Sequence, residues 1–170
     1  GHGLLYHGGQ NFQIPRPYQK KAIDRSIQEL NRGRSVLIES PTGSGKTLIF
    51  SLVIYGFAAN KRVVILAPTD ELTKQPFRYD WLAERGGRDA WDAQIIATTP
   101  QGALANIDKI LRNGPIGLIV ADECHGAIAR QAFEVIRIFQ KRGAASLGVS
   151  ATPDRRDQQM LNELFDVSIV

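Results

Sequence analysis

The chain has 170 residues, 43% of them hydrophobic, and a formal charge of +4, which is enough for one domain with a real core and too little for two. Its single cysteine excludes an internal disulfide and a cysteine-only zinc site, and no apolar run nears the roughly 18 residues that span a bilayer. The positive excess lies in the first half, where residues 1 to 85 hold 12 Lys/Arg against 7 Asp/Glu and the remainder 9 against 10, a bias that permits a nucleic-acid partner without requiring one.

From the amino end, residues 1–15 read as a lead-in. Gly1-His2-Gly3 has the look of an expression remnant, so His2 is given no functional weight. No signal-peptide apolar core follows, and the chain is expected to be soluble and intracellular, cytoplasmic or at the nucleoid or nucleus. A helix is expected over about 17–30, started by Pro17 and striped by Ala22, Ile23, Ile27 and Leu30. Residues 35–39, Ser-Val-Leu-Ile-Glu, then read as a short buried strand, and Leu48, Ile49, Leu52, Val53 and Gly56 recur at helical spacing.

Between that strand and that helix stands Ser40-Pro41-Thr42-Gly43-Ser44-Gly45-Lys46-Thr47. A strand feeding a glycine loop that opens a helix is the context a phosphate cradle needs. Gly43 and Gly45 let backbone N–H groups turn toward phosphate oxygens, and the helix start adds partial positive charge. Lys46 would reach the β and γ phosphates, and the Thr47 hydroxyl would ligate Mg²⁺. The usual pattern opens with glycine and this one opens with Ser40. Taken alone, the loop is either such a cradle or a Gly/Ser turn that happens to precede Lys-Thr.

Further strands are expected at 63–67, 94–97, 118–121 and 146–149, with helical patterns between them. Arg85-Gly86-Gly87-Arg88 is expected to be an exposed loop tip. A helix over about 126–141 is striped by Ile128, Ala132, Val135, Ile136 and Phe139, a core-facing face. Apolar strands alternating with helices imply an α/β fold, a mainly parallel sheet with helices on both faces, whose ligands bind at the carboxyl ends of strands.

The strand at 118–121 ends abruptly in Asp122-Glu123-Cys124-His125. Acids at the end of a core strand are costly unless a cation or hydrogen bonds compensate, and Mg²⁺ on a triphosphate supplies the cation. Asp122 is then the metal-side carboxylate, and Glu123 polarises the attacking water. The alternative is a helix N-cap followed by a first-turn acid. Cys124 is read as a small packing residue.

The set resembles the first RecA-like domain of the superfamily 2 helicases and translocases. Pro41 to Thr47 is similar to motif I, whose helicase versions often lack the leading glycine, so the resemblance accounts for Ser40. Asp122-Glu123-Cys124-His125 resembles a DExH-type motif II, which carries Asp122, Glu123 and His125 over as catalytic residues with Lys46. Ser150-Ala151-Thr152-Pro153 resembles motif III, which makes Ser150 and Thr152 coupling residues. Arg16-Pro17-Tyr18-Gln19 resembles a box in which the glutamine reads the adenine edge; an amide both donates and accepts, as adenine requires. Arg16 would stack on the base, Tyr18 would stack or merely pack, and Gln19 taken alone would be a solvated first-turn residue. The run from Ala67 to Gln75 resembles motif Ia and that from Ala97 to Gly102 motif Ib, which implies that Pro68, Thr69, Lys74, Thr99 and Pro100 touch one nucleic-acid strand.

What the resemblance implies is a single RecA-like P-loop NTPase domain over 16–170 that uses ATP and Mg²⁺ and acts on nucleic acid. The ending from Thr152 through Leu164-Phe165-Asp166 resembles DNA-repair helicases, including the RadD-like group, and so favours DNA over RNA. The second RecA-like domain, with motifs IV to VI and their arginine fingers, has no counterpart here. The chain is expected to be a monomeric N-terminal piece of a larger motor, nearly inactive alone, since such a finger contributes roughly 10³ to 10⁵ in turnover. A duplex-DNA translocase and a nucleic-acid sensor share these motifs and remain alternatives.

Overall fold

The computed structural model describes residues 13–40, 45–123, 126–151 and 155–170. Seven parallel strands form one sheet: β1 (Val36–Glu39), β2 (Val63–Leu66), β3 (Gly86–Arg88), β4 (Ile95–Thr98), β5 (Leu118–Asp122), β6 (Ala145–Ser150) and β7 (Val167–Ile169), in the spatial order β3-β4-β2-β5-β6-β1-β7. Among the described residues no helix is long and apolar enough to cross a membrane.

Each central strand is apolar on both faces, and alternate residues feed two separate cores. Val36, Ile38, Val63, Ile65, Leu118 and Val120 pack under α1 (Pro17–Asn31), α2 (Lys46–Phe57) and α3 (Asp80–Ala83). Leu37, Val64, Leu66, Ile96 and Ile119 pack under α4 (Pro100–Ala105), α5 (Ile107–Arg112), α6 (Ala129–Lys141) and α7 (Arg155–Leu164). The stripe of α6 lies as its spacing requires: Ala132, Val135, Ile136 and Phe139 are buried, while Ile128 stands half-buried in a 3₁₀ turn, Gly126–Ile128, that precedes the helix. Burying each larger side chain contributes roughly 1.5–3 kcal/mol. On α1 the stripe is joined by buried Gln19, Ser26 and Glu29. A Cβ at Gly56 would meet the Cδ1 end of Ile27, so α2 approaches α1 closely at this glycine.

The edge beyond β4 corrects the expected loop tip. Gly86–Arg88 is a strand, paired with Ile95 to Ala97, and Arg85 stacks 4.3 Å from the Trp81 ring while donating to the Trp81 carbonyl. A Cβ at Gly86 would collide with the Ile95 carbonyl, so the glycine that suggests a loop is what lets the strand pair. The opposite edge strand, β7, is also absent from the sequence reading. Elsewhere the bounds move by a residue: Gln94 precedes its strand and donates to the Ala59 and Lys61 carbonyls, and β5 runs on to include Asp122.

Register places the functional segments together. Glu39 pairs with Ser150, Asp122 with Val149, and Leu66 with both Ala121 and Thr98. The carboxyl ends of β1, β2, β4, β5 and β6 are therefore level, and the loops that leave them share one edge of the sheet.

Candidate nucleotide and nucleic-acid sites

Two clefts open along that edge. The first, ≈ 310 Å³, is lined by Gly45, Lys46 and Thr47 at the start of α2, Asp122 and Glu123 at the end of β5, and Leu72 and Gln75 of a 3₁₀ helix, Leu72–Arg78. Gly45 has φ 74°, the left-handed region that a side chain disfavours, and a Cβ there would lie 2.8 Å from Gln19 Nε2. The backbone conformation is what favours glycine here, since the Gln19 amide lies at the end of a side chain that can move. Ser40 is buried and its N–H donates to the Ser150 carbonyl at 2.8 Å, so the first loop position is tied to the end of β6.

Lys46 Nζ lies 2.5 Å from Glu123 Oε1, and the same oxygen accepts the Ala151 N–H at 2.7 Å. Glu123 sits at φ 51°, an uncommon left-handed conformation for a residue with a side chain, and its N–H donates to Val149 at 2.9 Å. This backbone turns the carboxylate back over the sheet edge. Asp122 continues β5 and is buried, which excludes the N-cap alternative. Burial pushes its carboxyl up from an ordinary 3.8 to about 6, against the pull of Lys46 and with the help of Glu123. The Thr47 hydroxyl donates to Gln75 Oε1 at 3.2 Å.

Among the described residues no three His, Cys, Asp or Glu converge as a metal cage. Mg²⁺ takes one or two protein oxygens and fills the rest of its octahedron with water and phosphate. A threonine hydroxyl and a buried carboxylate across one cleft from a lysine are such a donor set.

Gln19 is not a solvated first-turn residue. It is 5% exposed, its Oε1 accepts the Arg16 N–H at 2.8 Å, and its Nε2 faces Gly45. Arg16 and Tyr18 are exposed. Ser150 is buried and donates to the Ala151 carbonyl. Pro41, Thr42, Gly43, Ser44, Cys124, His125 and Thr152 lie outside the described residues.

The second cleft, ≈ 240 Å³, brings Pro68 and Thr69 together with Thr99 and Pro100. Thr69 Oγ1 accepts the Leu72 N–H and Thr99 Oγ1 accepts the Gly102 N–H, so each hydroxyl is oriented while its own proton stays a donor. Lys74 does not line this cleft; it is exposed, 3.6 Å from Glu71. Asp70, Gln101, Ile128 and Gln131 also line it; none was expected as a site residue, and Ile128 was expected to face the core. Gln131 carried one signal, a polar position on the exposed face of a helix that follows motif II. A larger cleft of ≈ 530 Å³ lies at the amino ends of the strands, where the charges are already engaged: Asp166 accepts the Ser35 N–H, Glu163 meets Arg137, and Lys61 sits over Phe57.

Residues 13–155 match the family described as the res subunit of type III restriction enzymes. The chain belongs to this family. It is a first RecA-like domain of superfamily 2. The probable ATP-dependent RNA helicase YfmL of Bacillus subtilis is 40% identical over 179 residues, covering 90% of this chain and 46% of the relative. The DEAD-box ATP-dependent DNA helicase Fancm of Drosophila melanogaster is 27% identical, covering 86% of this chain and 12% of the relative. The UvsW helicase of bacteriophage T4 shares the fold at a TM-score of 0.73 and 21% identity, covering 97% of this chain and 62% of that one. The chain thus spans less than half the length of YfmL and of Fancm.

Proposed function

We propose that the domain is the nucleotide-binding half of a motor that moves along nucleic acid, DNA in preference to RNA, and that a second RecA-like domain of the same protein closes over its ATP. The observation that carries this reading is the single oxygen of Glu123 held between Lys46 and the Ala151 N–H. One carboxylate joins the phosphate loop, motif II and motif III.

In this reading an incoming triphosphate takes Lys46 from Glu123. Glu123, still fixed by Ala151, then accepts a proton from the attacking water. Thr47 and Asp122 would hold Mg²⁺, which would offset the negative charge of the phosphates. Gln19 reads adenine from its place beside Gly45, and His125, Ser150 and Thr152 pass the state of the nucleotide to motif III. Pro68, Thr69, Thr99 and Pro100 form the strand-binding groove, with Lys74 adding charge at its approach.

The res-family match favours a second reading, a translocase that tracks duplex DNA without separating it. Forked and blunt duplexes separate the two in the longer protein: strand displacement on forks supports unwinding, whereas displacement of a third strand from intact duplex supports tracking. Tighter binding to an RNA than to a DNA oligonucleotide of the same sequence would overturn the DNA preference.

A further inference from the structure

We propose that Gln75 is a positioning residue for the magnesium side of the nucleotide site, acting by taking the proton of the Thr47 hydroxyl so that the Thr47 oxygen presents lone pairs to the cation. The inference rests on the reading of Thr47 and Asp122 given above. Thr47 Oγ1 and Gln75 Oε1 are 3.2 Å apart, with the hydroxyl donating, and both residues line the ≈ 310 Å³ cleft with Asp122.

A hydroxyl carries one proton and two lone pairs. To serve a hard cation it must offer a lone pair, so its proton needs a partner in another direction. Gln75 supplies that partner from a different element. Its position is fixed from both sides, because Thr73 and Pro76 of the same 3₁₀ helix are buried and the Thr73 hydroxyl donates to the Asp70 carbonyl. Leu72 of that helix walls the same cleft. Outer partners that orient a ligating group commonly set metal affinity by 10–100-fold.

The test uses this chain and a fluorescent N-methylanthraniloyl ADP, titrated with Mg²⁺ and, separately, bound in EDTA. Gln75→Met keeps length and bulk but removes the acceptor; Gln75→Glu keeps an acceptor oxygen. The expected result is a Mg²⁺ midpoint about 10–100-fold higher for Gln75→Met, a midpoint at or below that of the unaltered chain for Gln75→Glu, and near-equal binding of all three in EDTA. An unchanged midpoint for Gln75→Met, or equal weakening with and without Mg²⁺, overturns the proposal, the latter because lost packing is indifferent to the metal. Thr47→Ala separates the two levels. If it moves the midpoint and Gln75→Met does not, only the role of Gln75 fails; if the unaltered chain shows no Mg²⁺ response, the nucleotide reading fails with it.

Discussion

Lys46 and Glu123 hold each other at 2.5 Å across the mouth of the nucleotide cleft. The lysine proposed to meet phosphate is thereby paired, and the carboxylate proposed to meet water is occupied. In the proposed reading nucleotide breaks this pair on binding, so that binding and the arming of Glu123 become one event.

Replacing Glu123 with Gln removes the competing charge and the base together. Nucleotide affinity is expected to be equal to or higher than that of the unaltered domain, while turnover in the longer protein falls by at least about 10²-fold, the usual scale of a general base. Calorimetric binding and a phosphate-release assay check the two halves. Normal hydrolysis would remove Glu123 from the role.

Asp122 should make the free domain less stable as pH rises. Its folded pKa, about 6, lies above an ordinary 3.8, so between those values the folded state binds more protons than the unfolded one. This contribution is fully present below about pH 4 and is lost as pH rises through 6, by on the order of 2–3 kcal/mol. Asp122→Asn should abolish that slope and be the more stable protein at pH 7, as thermal unfolding from pH 4 to 8 would show.

Arg62 is a keystone that has no motif. Its guanidinium donates to the carbonyls of Trp91, Ala93, Ile110 and Gly114, at 2.6–3.2 Å, tying the start of β2 to the loop before β4 and to the end of α5. Burial holds its pKa below the usual value, with Asp92 acting the other way. Arg62→Ala is expected to cost roughly 2–4 kcal/mol, and Arg62→Lys most of that, because an ammonium cannot fan across four carbonyls. Urea unfolding measures both; a loss below about 1 kcal/mol for Arg62→Ala would show that water replaces the network.

These residues also mark how far the sequence could be read. That Gly45, Lys46 and Asp122 meet at one cleft was legible because the glycine loop and the acid each follow an apolar strand, and the sheet was legible because its strands are apolar on both faces. Gly86 misled because glycine signals a turn locally, while its pairing depends on a carbonyl from Ile95. β7 is only three residues long, too short for its pattern to stand out. Arg62 and Gln75 were silent for a shared reason: their partners lie some 28 to 52 positions away, and no local spacing encodes such a contact. The left-handed backbone of Glu123 was equally hidden, since nothing in Asp-Glu-Cys-His specifies it.

The central claim is that Lys46 exchanges Glu123 for the phosphates of ATP, and calorimetric titration of this chain with Mg·ATP, before and after Lys46→Ala, tests it most directly. The expected result is measurable binding by the unaltered chain and none by Lys46→Ala, with the far-ultraviolet circular dichroism of the two unchanged. Equal ATP affinity in both would contradict it.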